Sequence, residues 1–209
     1  MEKTKFKKRK NQQKDICPDL CMLRTNQSFL DYVQELYEQQ ERRENIIVKQ
    51  YAKGQKLFFQ NEKAIKVMLI KAGITKCFFT EDNDKAYILE FLGKGEIVGE
   101  IEVIRKIACL CNIEAMTDVT VYAIAPDYFS ELIKSDLKLN NLLLNVFAER
   151  IINTASRASY QQLYTIEHSL RKLLELQSKQ EITISKEDMA SYLGVTVRSL
   201  NRAFKSLSE

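Results

Sequence analysis

The sequence lacks a long apolar run. Of its 209 residues, 45% are apolar and 29% charged, and charges interrupt each apolar stretch well before the roughly 20 residues that a membrane-spanning helix needs. The N-terminus is a lysine run that no apolar region follows, unlike a secretion signal. We therefore predict a cytoplasmic protein of ordinary globular composition, with no membrane partner.

Histidine is also scarce, and the usual catalytic motifs are missing. His168 is the only histidine, on a predicted amphipathic helix where a spacer role is favoured over general-base chemistry. No nucleophile elbow, phosphate-cradling loop or metal-ligand spacing occurs. The segment "GKGEIVG" leads from one predicted strand into another, which excludes a dinucleotide fingerprint. The sequence thus predicts no enzyme activity, no catalytic residue and no metal site.

The positive charge is confined to one end of the chain. Residues 1–14 hold seven Lys or Arg and one Glu, a net charge of +6, whereas the whole chain carries +4, so that the rest carries −2. Such a segment is typical of a solvated tail, and we predict that residues 1–27 are a basic, disordered N-terminal arm. Contact between this arm and DNA phosphates is the alternative.

Glycine is concentrated in one part of the chain. Five of the six glycines lie between Gly54 and Gly99, and neither Gly nor Pro occurs from Asp127 to Leu193. Between Ile46 and Ile124, short β-branched and aromatic runs, "EIVGEIEVI" among them, alternate with turn-forming segments, which predicts a roll of short strands. With a helix capped by Ser28 before it and a short helix after it, this domain is predicted to span residues 28–136.

Residues 137–164 predict a single long helix. Their apolar residues follow one another at intervals of up to four positions and form one stripe, made of Leu139, Leu142, Leu143, Val146, Phe147, Ile151, Ala155 and Ala158. A helix of some 25 residues is roughly 37 Å long, more than a small domain covers. We expect part of the stripe to pair with its copy in a second subunit; packing on the roll is the alternative.

Residues 165–209 predict a helical domain that ends in a helix-turn-helix. Ser185 and Asp188 form an acidic variant of the capping box, Gly194 suits a left-handed C-cap, and Thr196 can cap the next helix. The two helices have apolar inward faces made of Met189, Ala190, Leu193, Leu200, Ala203, Phe204 and Leu207.

The outward face of the last helix carries side chains that can bind DNA. Arginine can donate two hydrogen bonds to guanine, and asparagine can bind adenine. We therefore predict a DNA-binding set made of Thr196, Arg198, Ser199, Asn201 and Arg202. A polar, solvated helix end is the alternative.

The order of roll, long helix and helix-turn-helix resembles a family of bacterial transcription regulators. These are named for the cyclic-AMP receptor protein and the fumarate and nitrate reduction regulator (CRP/FNR), and "FQNEKAIKVMLIKAG", "FLGKGEIVGEIEVI" and "MASYLGVTVRSLNRAF" carry the resemblance. The second segment is most similar to the YeiL-like branch. The resemblance implies an α+β fold with an N-terminal double-stranded β-helix, or jelly roll, of the cyclic-nucleotide-binding type, a long dimerisation helix and a C-terminal helix-turn-helix domain.

The family also implies partners and DNA-reading positions. It implies a homodimer on a pseudo-palindromic site in double-stranded DNA, a small-molecule effector, and RNA polymerase as a further partner. The family's main base-reading positions fall at Arg198, Asn201 and Arg202. Many relatives carry Glu at the position of Arg198, which implies a different operator here. The family's two-stranded wing would follow the last helix, but the sequence stops at Glu209, and we expect weaker DNA binding than in a relative with a wing.

The family's cyclic-nucleotide site is matched only in part. Its Gly-Glu pair, which holds the ribose, matches Gly99 and Glu100. Where its Arg-Ser phosphate anchor should follow, this sequence reads "IACLCNIEA", and burying a phosphodiester without a cation is strongly disfavoured. We expect an effector other than cyclic AMP, in a pocket that includes Gly99, Glu100, Cys109 and Cys111. Glu100 bracing the roll is the alternative.

The five cysteines predict reduced thiols rather than a disulfide framework. Some relatives bind an iron–sulfur cluster through an N-terminal cysteine cluster, but Cys17 and Cys21 are only two and are spaced differently, whereas such a cluster needs four ligands. Cys109 and Cys111 occupy alternate positions of a predicted strand and would face one side, as a redox pair or as small buried hydrophobes. No cofactor is predicted; an iron–sulfur cluster or redox thiols are the alternative. For the function of the whole protein, the alternative is a ligand- or redox-sensing roll with little DNA binding of its own.

Overall fold

The computed structural model describes residues 22–41, 44–81 and 85–208, so that most of the predicted basic arm, with Cys17 and Cys21, lies outside the described residues. The strands are β1 (Leu23–Arg24), β2 (Ile46–Tyr51), β3 (Lys56–Phe58), β4 (Val67–Ala72), β5 (Thr75–Thr80), β6 (Ala86–Leu92), β7 (Ile97–Val98), β8 (Asn112–Ala115) and β9 (Val119–Ile124). The helices are α1 (Gln27–Gln39), α2 (Glu100–Arg105), α3 (Pro126–Ser135), α4 (Leu137–Leu163), α5 (Ile166–Lys179), α6 (Lys186–Leu193) and α7 (Val197–Ser208).

The strands form two sheets that face each other. One sheet has the order β1-β6-β5-β8-β3 and the other β2-β9-β4-β7. All pairs are antiparallel except β1 with β6. The predicted α+β jelly roll followed by helices is confirmed.

Three apolar cores stack through the molecule. Strand residues alternate between the two faces of a sheet, so Cys77 of β5 points into the roll whereas Phe78 points out of it. The core between the sheets includes Met68, Ile113 and Val121. A second core joins α1, α3 and α4 to the outer face of the four-stranded sheet, and a third joins α5, α6 and α7 to the outer face of the five-stranded sheet.

The N-terminal boundary differs from the prediction. Leu23 and Arg24 pair in parallel with Phe91 and Leu92 of β6, so residues 22–27 belong to the folded body rather than to the arm. Helix α1 is capped by Asn26, whose side chain accepts a hydrogen bond from the Phe29 amide at 2.9 Å. The predicted cap at Ser28 is wrong, because the helix begins one residue before it.

The segment "EIVGEIEVI" does not form one strand. Only Ile97–Val98 is extended, and α2 begins at Glu100. Gly99 between them has φ +84°, a left-handed conformation that ends the strand and that glycine adopts without cost. The alternation of β-branched residues, which favours strand, is overridden by this turn.

Helix α4 divides its apolar residues between two faces. Leu139, Leu143 and Val146 are buried against the roll, whereas Leu144 and Ile151 are 65% and 70% exposed. The single predicted stripe is therefore two stripes, one of which is covered within the chain. No helix in the described ranges is long and apolar enough to span a membrane.

Candidate functional site

A cavity opens inside the roll where α2, α4 and the strands β5 and β6 meet. Its volume is about 140 Å³. It is lined by Phe58, Cys77, Leu89, Glu90, Leu92, Ile97, Val98, Gly99, Glu100, Ile101, Glu102, Leu110, Cys111, Ile113 and Arg150. Of the predicted pocket residues, Gly99, Glu100 and Cys111 line this cavity and Cys109 does not.

Gly99 is held closely on both sides. A Cβ at this position would lie 2.7 Å from Cζ of Phe58 and 2.8 Å from the carbonyl oxygen of Lys66. Together with its positive φ, this close approach restricts the position to glycine. The turn places Glu100 at the start of α2, where its carboxylate is only 1% exposed.

Glu100 is paired with Arg150, which reaches it from α4. Nη1 of Arg150 donates to Oε1 of Glu100, and Nη2 donates to the carbonyl oxygen of Ile97 at 2.5 Å. Burial raises the pKa of Glu100, and the Arg150 charge opposes that shift. This pair connects the cavity to the long helix directly.

A second buried carboxylate, Glu96, lies beside this pair. Arg24 donates to its Oε2 at 2.8 Å, and a nitrogen of Arg150 lies 4.0 Å from the same atom. Burial raises the pKa of Glu96 to about 6, although both arginines lower it. Arg24 also pairs with Glu90 at 2.8 Å, so β1 is fixed to β6 by charge as well as by backbone pairing.

The cavity offers no free cation to a phosphate. Arg150 is the one basic residue among its described lining residues, and Glu100 already neutralises it. Leu110 and Cys111 belong to the segment "IACLCNIEA", where the phosphate anchor of the family would fall.

The cysteines are arranged differently from the prediction. Cys109 and Cys111 precede β8, which begins at Asn112, so they are not alternate residues of a strand. Cys111 instead meets Cys77 of β5, with the two Sγ atoms 2.7 Å apart. The hydrogen bond to Cys111 and burial both raise the pKa of Cys77, and burial raises the pKa of Cys109 to about 11. The three described cysteines are free thiols.

The helix-turn-helix is formed by α6 and α7. Ser185 accepts from the Asp188 amide at 3.0 Å, Gly194 is left-handed with φ +68°, and Thr196 accepts from the Ser199 amide at 3.1 Å. The caps at Ser185, Gly194 and Thr196 are therefore confirmed. The reciprocal half of the predicted capping box is not, because the Asp188 carboxylate accepts from Nζ of Lys76 at 2.7 Å. All seven predicted inward residues belong to the core between these helices and the five-stranded sheet.

The predicted DNA-binding residues lie together at the start of α7. Arg198, Asn201 and Arg202 are exposed, and Asn201 and Arg202 follow Arg198 by three and four residues, which places both beside it on the helix surface. Asn201 accepts from Nζ of Lys186 at 3.1 Å. Thr196 and Ser199 bond to each other through their hydroxyls at 3.0 Å, so both serve the helix cap.

Sequence reasoning missed Arg157, which joins three parts of the molecule. From α4 its guanidinium donates to the carbonyl oxygens of Ile88 and Leu89 in β6 and of Tyr192 in α6. It is 9% exposed, and no carboxylate of the described chain pairs with it. Arg150 and Arg157 are seven residues apart and continue the roll-facing stripe of α4 after Val146. A charged residue at a position of an otherwise apolar stripe is the sequence feature that could have identified Arg157.

Comparisons with known proteins agree with this architecture. Residues 48–136 match the model of the cyclic nucleotide-binding domain, and no curated protein matches the sequence. The c-di-GMP responsive global regulator CLP of Xanthomonas campestris is 18% identical with a TM-score of 0.66, covering 79% of this chain and 87% of that one. A transcriptional regulator of the CRP/FNR family from Eubacterium rectale is 19% identical with a TM-score of 0.69, covering 79% of each chain. A CRP-family regulator from Thermus thermophilus is 16% identical with a TM-score of 0.66, covering 77% and 84%.

The fold and the cavity define a roll of the cyclic-nucleotide-binding class, carried on a long helix with a helix-turn-helix after it. The chain has the architecture of the CRP/FNR family of transcription regulators, and the predicted resemblance is confirmed. Placement in the YeiL-like branch stays a prediction.

Proposed function

We propose that this protein is a homodimeric, sequence-specific DNA-binding transcription regulator whose effector, other than cyclic AMP, binds in the roll. The observation that carries the proposal is the exposed face of α7, where Arg198, Asn201 and Arg202 stand beside each other on a capped helix. Such a face suits the major groove, where arginine discriminates guanine and asparagine discriminates adenine.

Dimerisation is supported by the uncovered stripe of α4. Leu144, Ala148, Ile151 and Ala155 are exposed and follow one another at intervals of four, three and four residues, the spacing of a coiled-coil seam. A monomer would leave Leu144 and Ile151 in water at 65% and 70% exposure. Pairing of two α4 helices covers them and places two copies of α7 in one symmetric particle.

The exclusion of cyclic AMP is supported by charge. The Arg150 cation is neutralised by Glu100, and the other described lining residues of the cavity carry no positive charge to pair with a cyclic phosphate. Millimolar cyclic AMP is therefore expected to leave the melting temperature unchanged, whereas a clear rise would contradict this part of the proposal.

The DNA-binding proposal is tested with two matched arginine substitutions. Arg202→Ala removes a base-reading side chain from α7, and Arg105→Ala removes the same charge from the exposed end of α2 on the roll. We expect Arg202→Ala to lower specific affinity for fragments of the source genome by about fivefold to 150-fold, as the loss of 1–3 kcal/mol implies, with Arg105→Ala close to wild type. Equal losses in the two variants would contradict specific reading by α7.

A further inference from the structure

Two thiols meet inside the effector cavity. Sγ of Cys77 lies 2.7 Å from Sγ of Cys111, and a disulfide bond is about 2.05 Å long. In the pairing of β5 with β8, Cys77 is opposite Ile113, and Cys111 lies two residues before Ile113. The fold thus brings together two sulfurs that are 34 residues apart in the sequence.

The two sulfurs differ in their access to solvent. Cys77 is 5% exposed, whereas Cys111 is half-buried in the wall of a cavity that also contains Leu110 and Glu102. Both residues line the cavity, and Cys111 is the more exposed of the two to a small molecule inside it.

We propose that Cys77 and Cys111 are a modification site, at which a hydroperoxide oxidises the two thiols to a reversible disulfide inside the effector cavity. In an intracellular protein, disulfides are usually transient and belong to redox sensing or catalysis rather than to stabilisation. Formation of this disulfide does not depend on DNA binding by the protein. Its role as a control on effector binding rests on the proposed function.

The reaction proceeds in two balanced steps. The Cys111 sulfur attacks one peroxide oxygen, the O–O bond breaks, and an alcohol or water leaves, which gives a sulfenic acid. The Cys77 sulfur then attacks the Cys111 sulfur, the S–O bond breaks, and water leaves with the Cys77 proton. Two thiols lose two electrons in total, and the peroxide gains them.

The surroundings assign the first step to Cys111. The hydrogen bond to Cys111 and burial raise the pKa of Cys77, which disfavours the thiolate that attacks a peroxide. Cys77 is instead placed as the resolving thiol, because its sulfur already contacts that of Cys111.

Cys109 provides a matched control within the same segment. It lies two residues from Cys111 and is buried, and its backbone bonds to Asn61 and Glu62. Its sulfur takes no part in the contact between Cys77 and Cys111. Burial raises the pKa of Cys109 to about 11, so we expect it to remain a thiol.

The test uses the full chain in a Cys17→Ser/Cys21→Ser background, which leaves three of the five cysteines. The reduced protein is treated with hydrogen peroxide, its free thiols are alkylated, and the mixture is digested with trypsin. Cleavage beside Lys76 and Lys85 releases Cys77 in the peptide 77–85, and cleavage beside Lys106 and Lys134 releases Cys111 in the peptide 107–134.

We expect free thiols to fall from three to one per chain, with the two peptides cross-linked and then separated by dithiothreitol. Adding Cys109→Ser should leave the cross-link in place, whereas Cys77→Ser or Cys111→Ser should abolish it. Unchanged circular dichroism of the serine variants excludes misfolding as the cause. Oxidation of Cys111 to sulfinic acid without a cross-link, or loss of the cross-link with Cys109→Ser, would overturn the proposal.

The same samples separate this proposal from the proposed function. Absence of the cross-link in a protein that binds DNA specifically overturns the thiol site and leaves the regulator intact. Presence of the cross-link in a protein that binds no DNA supports the thiol site and removes its assigned role as a control on a regulator.

Discussion

The ring of Tyr192 in α6 stacks on the ring of Phe91 in β6, with centroids 5.0 Å apart and planes inclined by 21°. The Arg157 guanidinium lies 4.1 Å from the centroid of the same Tyr192 ring. Nearby, Lys76 of β5 pairs with Asp188 of α6 at 2.7 Å. The helix-turn-helix is therefore docked on the roll and on the long helix at one place.

Arg157→Lys tests this docking. A lysine keeps the charge but loses the planar fork that reaches three carbonyl oxygens, and a hydrogen bond from a charged group contributes about 1.5–3 kcal/mol. We expect a loss of about 2 kcal/mol or more in the free energy of unfolding, measured in urea, and faster amide exchange in β6 and α6. The exposed Arg171→Lys in α5 is the control, and equal exchange in both variants would contradict the assigned role.

Gly99→Ala tests the close approach at the start of α2. Gly54 has the same φ of +84° but no atom within 4 Å of the position that a Cβ would take, so Gly54→Ala costs only backbone strain, about 1–2 kcal/mol. Gly99→Ala adds a clash with Phe58 and Lys66, and such overpacking costs about 1–3 kcal/mol more. Urea denaturation should rank the two variants in this order, and equal losses would show that the turn tolerates a side chain.

Glu96 makes stability depend on pH. Its pKa is raised from the ordinary value of 4.5 to about 6, so the folded state binds a proton more tightly than the unfolded state does. Its contribution is fully present below pH 4.5 and is lost as pH rises through 6. Relative to Glu96→Gln, wild type should lose about 2 kcal/mol of unfolding free energy between those limits.

Urea titrations at several pH values measure that difference, with the exposed Glu35→Gln as control. A constant difference between wild type and Glu96→Gln across the range would mean that folding leaves the pKa of Glu96 unchanged.

Two charged substitutions test whether the uncovered stripe of α4 is a dimer interface. Leu144→Glu/Ile151→Glu places two carboxylates in the seam, where like charges from two helices would face each other. We expect a dimer mass for wild type and a monomer mass for the variant by light scattering, with an unchanged far-ultraviolet spectrum. Ile65→Glu alters an apolar residue of the roll that is 67% exposed and should stay dimeric; a dimeric seam variant would rule out this interface.

The fold was predictable where its signals are local. The caps at Ser185, Gly194 and Thr196 depend on residues at most four positions apart, and the inward faces of α6 and α7 follow the helical period. Local signals failed where two of them compete, as in "EIEVI", whose β-branched residues favour a strand but follow the left-handed Gly99 into a helix.

The candidate site was predictable only in part because its contacts are distant in sequence. Glu100 and Arg150 are 50 residues apart, and Cys77 and Cys111 are 34 apart. The pattern of residues identified Glu100 and Cys111 separately, but only the folded strands and α4 show their partners. The predicted placement of Cys109 and Cys111 on one side of a strand was wrong because the strand begins after both residues.

The most direct test of the proposed regulator is selection of DNA from a random-sequence library by the purified protein, followed by sequencing. A homodimer with α7 in the major groove should enrich a pseudo-palindrome whose half-sites are centred about one helical turn, roughly 10 base pairs, or a multiple of it apart. Arg202→Ala should relax the preference within each half-site. An enriched motif without two-fold symmetry, or no enriched motif at low salt, would contradict a dimeric, sequence-specific regulator.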